Sequence, residues 1–302
     1  MSDYGRSVEF GISLTPNADD YPQLVEQAEL ADRLGLDYVG AQDHPYQRRF
    51  LDSLTLLAAL AARTTRVRLF PDVANLPLRP PAVLAKAAAS LDVISGGRFE
   101  LGLGAGAFWD AIWAMGGPRR SPGEAVEALE EAMAVIRRLW SGERGLRYDG
   151  RHYALRGTHS GPLPVHPIGI WLGAGGPRML SLLGRQADGW IPSSSWLPPE
   201  RIPEPQARID ESAQAAGRDP ATIKRLYNVS GRITTGAFGG FLDGPVDHWV
   251  EALTGLALDG GLDTFIFWPR EAPAAQLAGF AEEVVPRVRE SVQRDRTTRA
   301  AR

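Results

Sequence analysis

The sequence predicts a single α/β barrel of the TIM type, (β/α)8, with eight parallel strands ringed by eight helices. Three observations predict it: strand and helix signals alternate from end to end, each occurs eight times, and no Pro- or Ser-rich linker divides the 302 residues. An unbroken β-α alternation calls for a parallel sheet with helices on its faces, and eight units close that sheet on itself. The barrel domain is expected over 1–292, followed by a tail at 293–302.

Short β-branched or aromatic runs mark strands at 8–13, 38–41, 67–70, 98–103, 169–172, 188–191, 226–233 and 264–268. Amphipathic stretches rich in Ala, Leu and Glu mark helices at 21–35, 52–63, 81–94, 122–141, 177–186, 203–216, 245–258 and 274–292. In the first helix Leu24, Ala28 and Ala31 share a face, and Gly35 follows as a C′ residue suited to positive φ. Ser121-Pro122-Gly123-Glu124 supplies an N-cap, a proline at the first helical position and an acid at N3. Two excursions interrupt the alternation. One, 104–121, follows the fourth strand; the other, 142–168, precedes the fifth and carries a hairpin expected around Tyr148-Asp149-Gly150-Arg151. The tail holds Arg294, Arg296, Arg299 and Arg302 without apolar anchors, and is expected to be flexible.

Composition narrows the function. With 33 basic against 36 acidic residues the net charge is −3, which offers a nucleic-acid backbone or an anionic membrane nothing to hold. The absence of cysteine removes disulfides, thiolate metal sites and thiol nucleophiles together. The first residues carry Asp3 and no apolar signal core, and the longest apolar run, 54–62, falls far short of the roughly 20 residues of a membrane span. A cytoplasmic protein is expected. Barrel metallohydrolases need a His-x-His pair at the end of strand one, where this chain has Gly11-Ile12-Ser13, so no metal is expected.

Barrel enzymes build their sites at the C-terminal strand ends. His44 directly follows the second strand and is the candidate for acid/base or hydrogen-bonding chemistry, because its ordinary pKa lies near neutrality. Asp43 beside it reads as structural, holding a turn or a backbone amide. His152, His159, His166 and His248 fall in excursions or on a helix and read as surface residues. The third strand ends in Asp72-Val73-Ala74-Asn75. The run Gly173-Ala174-Gly175-Gly176-Pro177-Arg178 passes straight from a strand into a helix, where backbone N–H groups and the helix dipole suit a phosphate; the hydroxyl-rich Ser193-Ser194-Ser195 follows the next strand. Gly102-Leu103-Gly104-Ala105-Gly106-Ala107 formally matches a dinucleotide fingerprint. It lies in the fourth βα unit, however, with no strand-ending acid about 20 residues on, and reads as close backbone approach to a flat ligand. Trp109 and Trp113 are candidate walls of the substrate pocket.

Residues 76–86 (LPLRPPAVLAK) and 90–106 (SLDVISGGRFELGLGAG) together resemble the signature of the bacterial luciferase-like flavin-dependent oxidoreductases. The likeness extends to residues 170–179, 187–190 and 263–269, and so covers nearly the whole chain. That family folds as a TIM barrel. The resemblance implies a reduced flavin, FMN or the deazaflavin coenzyme F420, lying across the mouth. Its phosphate would sit on Gly175 and Gly176, with Ala174 and Pro177 beside them. It would lie against Gly104, Ala105 and Gly106 and against a non-proline cis peptide near Asp72-Val73, followed by Ala74 and Asn75. His44 matches the histidine that relatives place beside the reactive edge of the flavin. F420-linked sugar-phosphate dehydrogenases of the family carry an acidic glutamate just after the fourth strand; Ala107 stands there, which argues against the same dehydrogenase chemistry. The reading placed first is a monooxygenase using reduced FMN, supplied by a separate flavin reductase, and O2 on a small organic substrate, with Trp109 and Trp113 shaping the cavity. The alternatives are an F420-dependent reductase or dehydrogenase that needs no oxygen, and a non-catalytic flavin-binding protein. The family habit also implies a homodimer.

Overall fold

The computed structural model describes residues 3–236 and 239–301. From the N-terminus, β1 (Glu9–Leu14), α1 (Tyr21–Arg33), β2 (Tyr38–Ala41), α2 (Ser53–Ala61), β3 (Arg68–Pro71), β4 (Ala74–Asn75), α3 (Pro81–Ser95) and β5 (Leu101–Gly104) form the first half. After α4 (Trp109–Ala114), α5 (Pro122–Leu139) and the pair β6 (Leu146–Asp149) and β7 (Ala154–Thr158), the alternation resumes. It continues with β8 (Ile170–Leu172), α6 (Pro177–Gln186), β9 (Gly189–Trp190), α7 (Pro203–Ala215) and β10 (Lys224–Ile233). Then come β11 (Asp243–Gly244), α8 (Val246–Leu258), β12 (Thr264–Pro269), α9 (Pro273–Gly279) and α10 (Val285–Ala300), the last two joined by a π-helical turn over Phe280–Val284.

The parallel strands run in the order β3, β2, β1, β12, β10, β9, β8, β5, β4. Strands β3 and β4 are two halves of one staff of the barrel, interrupted by the cis peptide Asp72-Val73. β4 pairs β5 through Ala74 with Leu103, and Leu69 of β3 bridges Phe99, so the barrel closes as expected. Alternation along each strand separates two cores. Tyr38, Phe70, Trp171, Ile191, Leu226 and Ile266 fill the barrel interior, where the rings of Tyr38, Phe70 and Trp171 meet edge to face. The residues between them, among them Val39, Leu69 and Leu172, pack outward onto the helices.

The boundary chemistry is as the sequence implies. Gly35 follows α1 with φ of 77°, and Ser121 and Glu124 cap α5 reciprocally. The second excursion does hold an antiparallel hairpin, β6 with β7. Glu131 of α5 ties it down by accepting from the backbone N–H groups of Arg151, His152 and Tyr153. The first excursion contains α4, a helix absent from the expected eight. Within the expected tail, 293–300 continue α10, which runs to Ala300, and Arg302 lies outside the described residues. The anchors of 293–300 are polar, whereas the earlier turns of α10 bury Val285, Val288 and Val292. The Arg296 guanidinium forms two hydrogen bonds to the Asp3 carboxylate, at 2.6 and 2.7 Å, and donates to the Arg6 carbonyl. Among the described residues no helix is long and apolar enough to cross a membrane.

Candidate active site at the barrel mouth

A cavity of about 790 Å³ opens at the C-terminal strand ends, within the range of a cofactor or drug-sized ligand. Of the residues expected there, His44, Asp72, Val73, Ala74, Asn75, Gly104, Ala105, Gly106, Trp109, Gly175, Gly176 and Pro177 line it. Two do not. The Ala174 carbonyl accepts from the Trp190 indole at 2.9 Å, which locks that residue into the barrel wall. In α4 the buried Ile112 fixes which face meets the protein; Trp113, one residue round, is exposed and carries the Arg119 guanidinium 5.7 Å above its ring.

Asp43 is structural, as read. It accepts from both Nε and Nη2 of Arg79 at 2.7 Å, from the Ser53 hydroxyl at 2.9 Å and from the Asn75 backbone N–H at 2.7 Å. That network welds the end of β2 to the residues just after the cis peptide, and so aims His44. The His44 Nδ1 stands 2.7 Å from the Tyr46 hydroxyl, and its ring meets Phe108 edge-on at 5.8 Å. Burial pulls the His44 imidazole below its ordinary value, opposed by the Asp43 carboxylate, and burial pushes the Tyr46 phenol up to about 12. Both are therefore neutral at pH 7. The tyrosine hydroxyl donates to Nδ1 when Nε2 carries the imidazole proton, and accepts from Nδ1 when that nitrogen carries it, which leaves Nε2 free as an acceptor.

The fourth-strand glycines also serve a neighbour within the barrel wall. A Cβ on Gly102 would stand 2.1 Å from the Pro71 carbonyl oxygen, and one on Gly104 would stand 2.8 Å from the Val73 side chain. Their missing side chains make room for the backbone around the cis peptide, and Gly104 lines the cavity as well. Gly175 and Gly176 are the reverse case, since a Cβ on either would meet nothing within 4 Å. They lead into the N-terminus of α6, with Arg178 also lining the cavity. Here the expected anion cradle is open.

Asp72 accepts from the Ser13 hydroxyl at 3.1 Å and from the Asn228 amide at 3.0 Å, both neutral donors, and burial pushes its carboxyl up. Asn228 also donates to Ser193. The Oδ1 atoms of Asn75 and Asn228, both cavity-lining residues, are buried without a hydrogen-bond partner among the described residues. Asn228 lies inside the seventh expected strand, where a polar residue amid an apolar run was the available signal. Tyr46, Phe108, Arg178 and Trp268 also line the cavity. They lie beside quoted motifs or at strand ends, but nothing local marks which of them turns inward. Of the remaining histidines, His166 is no plain surface residue: its Nδ1 stands 2.6 Å from the fully buried Asp92 carboxylate. No cluster of three or more metal-ligating side chains occurs among the described residues.

A closed barrel that gathers its polar groups and an open helix N-terminus at one mouth is laid out as barrel enzymes are. The chain belongs to the luciferase-like monooxygenase family, whose family model matches residues 7–232. It is 34% identical over 222 residues to the F420-dependent hydroxymycolic acid dehydrogenase of Mycobacterium tuberculosis (strain ATCC 25618 / H37Rv), an overlap covering 70% of this chain and 59% of that relative. It is 31% identical over 236 residues to the F420-dependent glucose-6-phosphate dehydrogenase of Gordonia bronchialis, covering 74% and 68%. The matched segment thus spans about three fifths to two thirds of the length of these relatives. Among solved structures, an F420-dependent secondary alcohol dehydrogenase in complex with an F420-acetone adduct superposes with a TM-score of 0.83. That match has 16% identity and covers 94% of this chain and 99% of that one, a likeness of fold.

Proposed function

We propose that this protein is an F420-dependent oxidoreductase that exchanges a hydride with an organic alcohol or carbonyl compound. The observation that carries the reading is the pairing, across one mouth, of an open glycine turn at a helix N-terminus with a half-buried histidine that lines the same cavity. The relatives more than 30% identical support the deazaflavin over FMN, so the order of the two cofactors inferred from sequence is reversed.

The residues fit such a group. Gly175, Gly176 and Arg178 would receive its phosphate, and Val73 and Gly104–Gly106 would wall its ring. Asn75 and Asn228 offer amide oxygens that lack donors. Bound there, the deazaflavin supplies hydride transfer. His44, uncharged and with its own proton on Nδ1 toward the Tyr46 hydroxyl oxygen, would take at Nε2 the proton that a substrate hydroxyl loses as its carbon is oxidised, and return it in the reverse direction. Tyr46 holds the ring, and the Asp43–Arg79 network holds the strand end beneath it.

Titrating the protein separately with F420 and FMN, read by absorbance and fluorescence, tests the reading; tight FMN binding with no F420 binding overturns it. The description of the matching family favours, as a second reading, reduced FMN with oxygen and a separate reductase, and that is the outcome such a result would support. We also propose a homodimer in the cytoplasm. Exposed Val83 and Ile94 share one face of α3, three turns apart, and support a helix-to-helix contact. Light scattering on the purified protein reads the oligomeric state directly, and a monomeric mass rejects the dimer.

A further inference from the structure

Charge is unevenly placed around the mouth. Among the described residues lining the cavity, Arg178 is the one lysine or arginine, and it stands on α6 beside Gly175 and Gly176. Across the barrel, the ends of β2, β5 and β12 contribute His44, Tyr46, Phe108, Trp109 and Trp268. Phe108 contacts both His44 and Tyr46, with ring centroids 5.8 and 5.9 Å away. Trp268 is pinned by its indole N–H, which donates to the Thr15 hydroxyl. The two acids lining the cavity bring no cation to it. Asp43 is already matched by Arg79, which does not line the cavity, and Asp72 has only the neutral Ser13 and Asn228 as partners.

If the glycine turn and Arg178 hold a cofactor phosphate, no lysine or arginine among the described residues lining the histidine end is left to neutralise a second anion. A phosphate or carboxylate brought there would leave water and gain no counter-charge, which buried charges do not tolerate. Apolar and aromatic groups, by contrast, gain both from leaving water and from ring contacts. We propose that the substrate of this site is an uncharged alcohol or carbonyl compound bearing an aryl or alkyl group, packed against Tyr46, Phe108 and Trp109, and that phosphorylated and carboxylated compounds are rejected. The reacting group rests on the function proposed above; the rejection of anions rests on the cavity. It separates this chain from the relative named for glucose 6-phosphate, despite the identity between them.

The test is equilibrium binding to the full chain in the presence of saturating oxidised F420, read by calorimetry and by quenching of tryptophan fluorescence. The probes are 4-phenylbutan-2-one, its near-isosteric carboxylate 3-phenylpropanoate, and glucose 6-phosphate. The ketone should bind at least about tenfold more tightly than the carboxylate, and glucose 6-phosphate should give no saturable signal. The Phe108→Arg variant, at a half-exposed position that accommodates the change, should raise carboxylate affinity and close the gap. Equal or tighter binding of either anion to the wild type overturns the proposal. So does a ketone that fails to bind up to its solubility, or a Phe108→Arg variant that gains nothing for the carboxylate. Repeating the series with FMN separates the two readings. Preference for the ketone on an FMN-binding, F420-blind protein rejects the cofactor assignment and keeps the substrate class. Sugar phosphate binding to an F420-loaded protein does the opposite.

Discussion

The Tyr46 hydroxyl and the His44 Nδ1 stand 2.7 Å apart at the rim of the barrel, two residues apart in the chain and both facing the same cavity. The contact fixes how the imidazole is oriented and which nitrogen is left for a ligand. Tyr46→Phe keeps the ring and removes only the hydroxyl. One neutral hydrogen bond is worth about 0.5–1.5 kcal/mol, so turnover should fall about two- to tenfold. Thermal stability should barely move, and steady-state kinetics alongside a melt would show whether the two separate.

His44 itself should matter far more. Replacing it with Ala removes the proposed acid/base group and should lower kcat by about 10²–10⁴-fold. Cofactor affinity, measured in the same preparation by fluorescence titration, should change much less.

Burial holds the His44 imidazole below its ordinary value, with the Asp43 carboxylate pulling the other way. The neutral ring is the base for alcohol oxidation, so the rate should rise with pH through a midpoint below the ordinary value of about 6.5 and then stay level past neutrality. The folded state also binds that proton less readily than the unfolded chain. Acidification below about 6.5 should therefore erode stability as well as rate. A pH–rate profile whose rising limb lies above 7 would be incompatible with this assignment.

Asp43 should behave as a structural residue. Its replacement by Ala leaves the mostly buried Arg79 guanidinium with Asp52 as its remaining carboxylate partner and the Asn75 N–H without its acceptor. An uncompensated buried charge costs about 3–5 kcal/mol, and the retained Asp52 pair brings the loss below that range, which urea denaturation would read as a lowered midpoint. Any loss of activity should be accompanied by this loss of stability, unlike that of the His44 variant.

Two glycine substitutions should part company. In Gly102→Ala the new methyl would meet the Pro71 carbonyl at 2.1 Å, a backbone atom that cannot swing aside, and overpacking of that kind costs about 1–3 kcal/mol or more. Gly175→Ala points its methyl into open space, so the melting temperature should hold while affinity for a phosphate-bearing cofactor falls. A Gly175→Ala protein that binds the cofactor normally would remove the cradle from this turn.

Much of this molecule is local in origin. The alternation of apolar runs with amphipathic stretches is a matter of side-chain period, and the caps at Ser121 and Gly35 are set by a few neighbouring residues, so both are legible along the chain. The helix at α4 was not legible, because six residues carry too little periodicity to stand out from a loop. Nor was the ordering of 293–300, which depends on a pair between Arg296 and Asp3 at opposite ends of the chain.

At the site, the sequence by itself determined where the chemistry sits: His44 and the Gly175-Gly176 turn follow strands that the period alone locates. Only the tertiary structure decided what those residues face. Closure of the barrel brings Asp72 to Asn228 across 156 positions, sends Ala174 into the wall, turns Trp113 outward and sets Gly102 against Pro71. The reason is physical. Period fixes which side of its own strand or helix a residue occupies, but register between strands far apart in the chain fixes what stands opposite it, and so which of the described residues meet at the histidine end of the cavity.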